Sequence, residues 1–313
     1  MSFTETQEKF GDFNTIVVTD TETNSKITII PEMGAILNSF KVNKKGQVID
    51  IIDGHTNVED LMSEYYSKGS LLAPFPNRIS DGKYEFEGVK YSLPINKADE
   101  HNAIHGFVSN NTFELLSSKE TDSGYELVLQ SNSGITEGYP FPFKIVVTYI
   151  FKGFSLSVKT EISNTGTKQM PIGFGWHPYF TFGTDISEVS LQLPAVEEII
   201  ADERLIPTGD RKEYTNFQNL EKIGETEFDT GFKFLGANKE IKLSDDTSGM
   251  TMCISCTGQV YEYVQIFIPP WRKSIAIEPM TCAANAFNNK MGVTVLQSGE
   301  TLSAEYTIKV DFS

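Results

Sequence analysis

An all-β chain, folded as one large antiparallel sandwich with few short helices, is predicted from three observations. Paired runs of alternating β-branched and aromatic residues recur, turn signals separate them at short intervals, and no stretch alternates strand with long helix. Taken in order, residues 4–10 read as a single helical turn, and 26–30 and 36–42 as strands, the latter leading into a K-K-G-Q turn. Glu59 to Tyr66 has the spacing of two helical turns. Tyr84, Phe86, Val89 and Tyr91 flank Glu87-Gly88 as the arms of a hairpin. Residues 125–130 form a strand, and 144–163 are two alternating runs around Lys152-Gly153, a second hairpin. After a short strand at 189–193, residues 197–230 are polar and poorly patterned, as in a long loop excursion. Strands at 251–256, 261–268, 273–278 and 301–311 complete the set.

The 313 residues are read as a single domain, 1–313, with residues 1–12 a peripheral segment. A hydrophobic fraction of 39% with 22% charged residues supplies a core and excludes a disordered chain. The net charge of −16 argues against nucleic acid or an anionic membrane as partner, because phosphate contact needs clustered Lys and Arg. A small neutral ligand fits that balance better. The opening M-S-F-T-E-T-Q-E-K-F lacks the basic and apolar regions of a secretory signal, and no run approaches a membrane span. Three cysteines cannot make a disulfide framework, so a cytoplasmic location is expected. No G-x-G-x-x-G, Walker loop or G-x-S-x-G elbow occurs, and no cofactor is implied.

Four segments hold residues suited to chemistry. In G-F-G-W-H-P-Y-F, extended geometry would put Gly173, Gly175 and His177 on one face, an open floor beside an imidazole, with Phe174 and Trp176 in the core. A satisfied core histidine is the alternative. In I-A-I-E-P-M-T, Glu278 ends an apolar strand, either as a buried acid–base group or at a solvent edge. Arg78, in the uncharged stretch L-A-P-F-P-N-R-I, offers a planar fork for hydroxyls or a carboxylate, or locks a loop by pairing with an acid. His101 and His105 have the spacing of metal ligands on a helical turn, but Asn102 and Gly106 disfavour that, and a hydrogen-bonding His105 is preferred. Cys253 and Cys256 lie in a strand-like run, where i and i+3 face opposite sides, so no metal site is expected there either.

In order along the chain, N-R-I-S-D-G-K-Y-E-F-E-G-V-K-Y-S-L at 77–93, N-A-I-H-G-F at 102–107, G-W-H-P-Y-F at 175–180 and I-E-P-M-T at 277–281 resemble the aldose 1-epimerase (mutarotase) family, from about residue 25 onward. The resemblance implies a galactose mutarotase-like β-supersandwich and cofactor-independent interconversion of the α and β anomers of a free aldose. It implies Glu278 as general base and His177 as general acid, a carboxylate and an imidazolium near neutral pH. Arg78 and His105 would bind sugar hydroxyls, with an aspartate, best matched by Asp229 and otherwise by Asp245 or Asp246. The family's H-G-G is His105-Gly106-Phe107 here, so Phe107 would narrow the sugar pocket. A hexose-6-phosphate epimerase, with Arg272 aiding the phosphate, and a non-catalytic sugar-binding protein are the competing readings. Partners beyond the sugar are not expected, and the chain would act as a monomer or homodimer.

Overall fold

Alternating apolar and polar side chains around Lys152-Gly153 produce two ten-residue strands, Phe143–Lys152 and Ser155–Asn164, paired from Lys152↔Ser155 to Phe143↔Asn164. Gly153 takes the left-handed conformation that the turn requires (φ +58°). In the second strand Leu156, Val158, Thr160, Ile162 and Asn164 are buried while their neighbours are partly exposed, the signature of a sheet with one face on a core. The structure, a computed structural model, describes residues 2–44, 46–63 and 66–312.

This hairpin lies inside a nine-stranded antiparallel sheet. From Ser155–Asn164 the sheet continues through Thr301–Phe312, Met250–Thr257 and Glu240–Asp245. A second sheet runs from Pro207–Tyr214 through Val196–Ala201, Asp229–Phe234, Tyr263–Phe267 and Ile275–Met280 to Gly175–Trp176 and Leu71–Leu72. Trp176 of this sheet stacks on Tyr306 of the first, with ring centroids 4.6 Å apart and planes at 21°. A five-stranded sheet, from Phe3–Phe10 to Gln47–Asp50, joins the same core through an edge contact of Phe40 with Phe151 at 5.7 Å. Full burial of each such ring is worth about 1.5–3 kcal/mol, so these inter-sheet contacts fix how the layers sit.

Both hairpins occur where the alternation places them; that around Glu87-Gly88 pairs Lys83–Phe86 with Val89–Ser92. Three expectations are corrected. Residues 4–10 form no helical turn: Phe3–Phe10 is an edge strand folded back on Phe13–Asp20 through Gly11-Asp12. Its Glu and Lys side chains leave it mostly exposed, which hides its alternation while discouraging edge-to-edge association. Residues 197–230 are no loop excursion but hold Val196–Ala201, Pro207–Tyr214 and the start of Asp229–Phe234. Cross-strand ion pairs Glu197–Arg211 and Glu198–Lys212, both 3.0 Å, replace apolar contacts there. The helix near Glu59 is Val58–Ser63, anchored by buried Leu61, and Glu64 and Tyr65 lie outside the described residues.

Candidate active site

Ile275–Met280 is hydrogen-bonded on one side to Tyr263–Phe267 and on the other to the short strands at 175–176 and 179–180, so all six of its residues are buried. Glu278, 2% exposed, is therefore not at a solvent edge, and the strand runs on past Pro279 to Met280. The pairing Gly175↔Met280 brings the link around His177 alongside Glu278. The backbone of His177 is fixed by bonds to Ser70 and Gly69, and its ring stacks on Tyr179 at 5.0 Å. His177 Nε2 then lies 3.3 Å from Glu278 Oε1. His177 Nδ1 and Glu278 Oε2 are buried without a hydrogen-bond partner among the described residues, a cost of about 1–3 kcal/mol each that a structural pair would avoid.

Burial acts on this pair from both ends. Loss of solvent, reinforced by the charge of Asp229, pushes the Glu278 carboxyl well above its ordinary value, with Arg78 opposing. Loss of solvent, aided by Arg78, pushes the His177 imidazole down to about 3. Both shifts favour the uncharged form of each group, against the carboxylate and imidazolium that reference values suggest for solvated groups.

Asn77 organises the polar wall. In the left-handed region (φ +57°), it donates its backbone N–H to His105 Nδ1 at 3.1 Å, while its side-chain oxygen accepts from Arg78 N and Nη1 at 2.9 and 3.2 Å. With Nδ1 accepting, the His105 proton sits on Nε2. Burial and the neighbouring His177 and Arg78 keep that ring neutral. Gln265, the cross-strand partner of Glu278, donates to Asp229 Oδ1 at 2.7 Å and accepts from Asn77 Nδ2 at 3.3 Å. Asp229 lines the cleft beside Arg78, and the surrounding protein raises its carboxyl above the usual value. Arg78 is gripped by Glu100, Nε at 2.5 Å and Nη2 at 3.0 Å, the acid pairing that one of its two sequence readings expected, and it also lines the cleft. Glu100 is held in turn by Arg204, whose Nε donates to the Glu100 carbonyl and whose Nη2 reaches Asp81, His101 and Asn102, each at 3.0 Å.

All five residues singled out from the sequence, Arg78, His105, His177, Asp229 and Glu278, line one cleft of about 1040 Å³. Asp245 does not: its carboxylate caps the turn at Thr247 and Ser248, and neither it nor Asp246 reaches the cleft. His101 is exposed on Asp81, away from the cleft. His105 instead groups with His177 and Glu278, one ligand-type atom from each lying within 4.8 Å of the others, close enough to span a cation. The expected open floor at Gly173 and Gly175 is absent, because Cβ atoms there would meet Cys282 Sγ at 2.2 Å and the Pro279 carbonyl at 2.8 Å. These glycines admit a neighbouring strand. Phe107 does not line the cleft either: partly buried, it packs edge-on against core residue Tyr139 at 5.8 Å. Asn77, Gln265 and Glu100 were missed from sequence. Of the three, only Asn77 carries a signal, as an Asn before Arg tolerant of positive φ.

A family model described as Aldose 1-epimerase matches residues 16–309. The chain is 32% identical over 238 residues to the uncharacterized protein YihR of Escherichia coli, covering 74% of this chain and 75% of that one. It is 28% identical to the galactose mutarotase of Rattus norvegicus over 181 residues, 56% of this chain and 52% of that protein. In fold it is similar to a galactose mutarotase-like protein from Clostridium acetobutylicum, with a TM-score of 0.88 at 20% identity over 99% of this chain and 98% of that one. It is also similar to the galactose 1-epimerase of Lactobacillus acidophilus, with a TM-score of 0.83 at 16% identity over 99% of each chain. The four sequence segments thus converge on one cleft in a mutarotase-like fold, and with the model spanning nearly its whole length the chain belongs to the aldose 1-epimerase family.

Proposed function

We propose that this protein interconverts the α and β anomers of a free hexose of the glucose or galactose type by acid–base ring opening, with Glu278 and His177 as the reacting groups. One observation carries the reading: an acid–base pair 3.3 Å apart, drawn from segments about 100 residues apart in sequence, on a cleft walled by hydrogen-bonding side chains. The reaction needs a base for the O1 proton and an acid for O5. With pyranose bound, Glu278 as carboxylate takes the O1 proton, the C1–O5 bond breaks, and His177 as imidazolium gives its proton to O5. The site then holds an open-chain aldehyde, a carboxylic acid and a neutral imidazole. Rotation about C1–C2 and reversal of both transfers closes the other anomer.

The proton arrangement that burial favours in the free site is the one that accompanies the open-chain aldehyde. Burial makes Glu278 a stronger base and His177 a stronger acid than either would be in water, which drives both transfers toward ring opening. In this reading Asp229, Arg78 and the His105 Nε2–H bind the remaining hydroxyls, and their common place on the cleft supports it. The phosphate version has less support: Arg204 and Arg211 pair with Asp81 and Glu197 and do not line the cleft, and of the two arginines that do, Arg78 pairs with Glu100, which leaves Arg272, donating to the carbonyls of Thr226 and Gly224, as the expected phosphate contact.

Polarimetry on freshly dissolved α-glucose and α-galactose, with chelator-treated protein, is the test. The rotation should decay faster to the same equilibrium value, and His177→Asn should slow it by about 10²–10⁴-fold, the usual worth of a positioned acid. Undiminished turnover by that variant would remove His177 from the mechanism.

A further inference from the structure

His177 lacks the contact by which a working histidine is ordinarily aimed. One ring nitrogen is usually directed by the hydrogen bond that the other makes to a carbonyl or carboxylate. Here Nδ1 is buried with no such partner among the described residues, while Nε2 faces Glu278 Oε1 at 3.3 Å. Other rings hold the imidazole instead. Tyr179 lies on its face, with centroids 5.0 Å apart and planes at 17°, and His105 meets it edge-on at 5.2 Å and 81°. Tyr179 reaches this place because it stands two residues beyond His177, and alternate residues of an extended chain share a face. It is itself fixed from several sides. Its backbone pairs with Ala276 and accepts from Asp53 N–H at 2.9 Å, its hydroxyl donates to the Tyr66 carbonyl at 3.1 Å, and its ring meets Phe267 edge-on at 6.4 Å. Burial and the Glu278 charge raise the phenol far above its ordinary value, so it keeps the proton that makes this bond.

The stack has an electrostatic side as well. An aromatic face is negative, and a cation within about 6 Å of its centre is stabilised. In the function proposed above, on which this inference rests, His177 carries an extra proton for part of each cycle. Burial and Arg78 oppose that charge, the Glu278 carboxylate favours it, and the Tyr179 face adds to the favourable side. We propose that Tyr179 is a positioning residue: its ring face sets the plane of the His177 imidazole and steadies the imidazolium, in place of a hydrogen bond to Nδ1. A histidine less steadied is protonated less often, and its greater acid strength recovers only part of the lost rate.

The test replaces Tyr179 by Phe and then by phenylalanines with one, two and three ring fluorines, which keep the ring while withdrawing negative charge from its face. Exchange between the two anomers of glucose and of galactose is followed at equilibrium by NMR. Tyr179→Phe keeps the face, so its kcat should stay within about twofold of the parent, and each fluorine should then lower kcat, by about three- to tenfold in all. KM should move less than about twofold, since the loss falls on the acid and not on sugar binding. Tyr179 also lines the cleft, and a direct contact with the sugar would appear in KM instead. A kcat unmoved by fluorine, a change confined to KM, or a fall that follows melting temperature rather than fluorine number overturns the role of Tyr179, while a fast parent still upholds the acid–base reading. A parent that exchanges neither sugar overturns both.

Discussion

Asn164, at the end of a strand in the nine-stranded sheet, and Glu278, in the middle of the second sheet, are equally buried at 2% exposure. Their surroundings differ completely. Asn164 donates to the carbonyls of Lys168 and Leu296 at 2.8 and 2.9 Å and accepts from Gly166 N–H at 2.9 Å. Glu278 has one oxygen without a partner among the described residues and the other facing a buried imidazole. The first is a polar group used to fix the fold. In the function proposed above, the second is one whose demands are left for a substrate to meet, at a cost to stability that the rest of the sheet absorbs.

The strongest way to break this contrast is Glu278→Gln. Its rate should fall about 10²–10⁴-fold, yet at pH 7 the variant should melt roughly 2–4 °C higher, the effect of about 1 kcal/mol in a chain of this size. The sign follows from the raised carboxyl. A group that holds its proton more tightly when folded favours the fold below its ordinary value and costs stability as pH rises. The gain should therefore vanish near pH 4, and a lower melting temperature at pH 7 would show that Glu278 is structural. Asn164→Ala is the mirror experiment. It should lose about 2–4 kcal/mol in denaturant unfolding by orphaning buried backbone groups, with kcat/KM within about twofold of the parent.

A smaller effect tests the polar wall. Arg204→Ala, remote from the reacting atoms, should raise KM more than it lowers kcat, with kcat/KM down about tenfold, because Glu100 and then Arg78 lose their placement. An unchanged KM would mean that Arg78 is positioned without that clamp. The smallest expected change is in the pH profile. His177 titrates far below 6.5, so after subtraction of the spontaneous rate kcat/KM should show no imidazolium titration centred near 6.5. A drop through 6.5 would mark an ordinary, solvated imidazolium.

Legibility in the sequence followed the same divide. Strands with one face on the core announced themselves by alternation, as at 144–163 and 84–91. Strands held by surface ion pairs, Val196–Ala201 and Pro207–Tyr214, did not, because charged residues on both faces erase the period of two. In the site, His177 and Glu278 stood out as titratable groups in apolar strands, but their meeting depends on the pairing Gly175↔Met280, a long-range choice that no local pattern records. Glu100, Gln265 and Arg204 act only through other side chains, so a motif has nothing to show for them. The two glycines beside His177 were visible, but their purpose was not: absent side chains admit a strand as readily as a ligand.

The place of Thr301–Phe312 bears on how the molecule is made. It lies between Ser155–Asn164 and Met250–Thr257, pairing residues such as Ser155 and Lys309 that are far apart in sequence. Until this strand emerges from the ribosome, the two halves of the nine-stranded sheet cannot join, and each presents a long apolar-faced edge. Such late, non-local closure slows folding and lengthens exposure to aggregation. Yield in cells should therefore depend on temperature and chaperone supply more steeply than the stability of the finished protein would suggest.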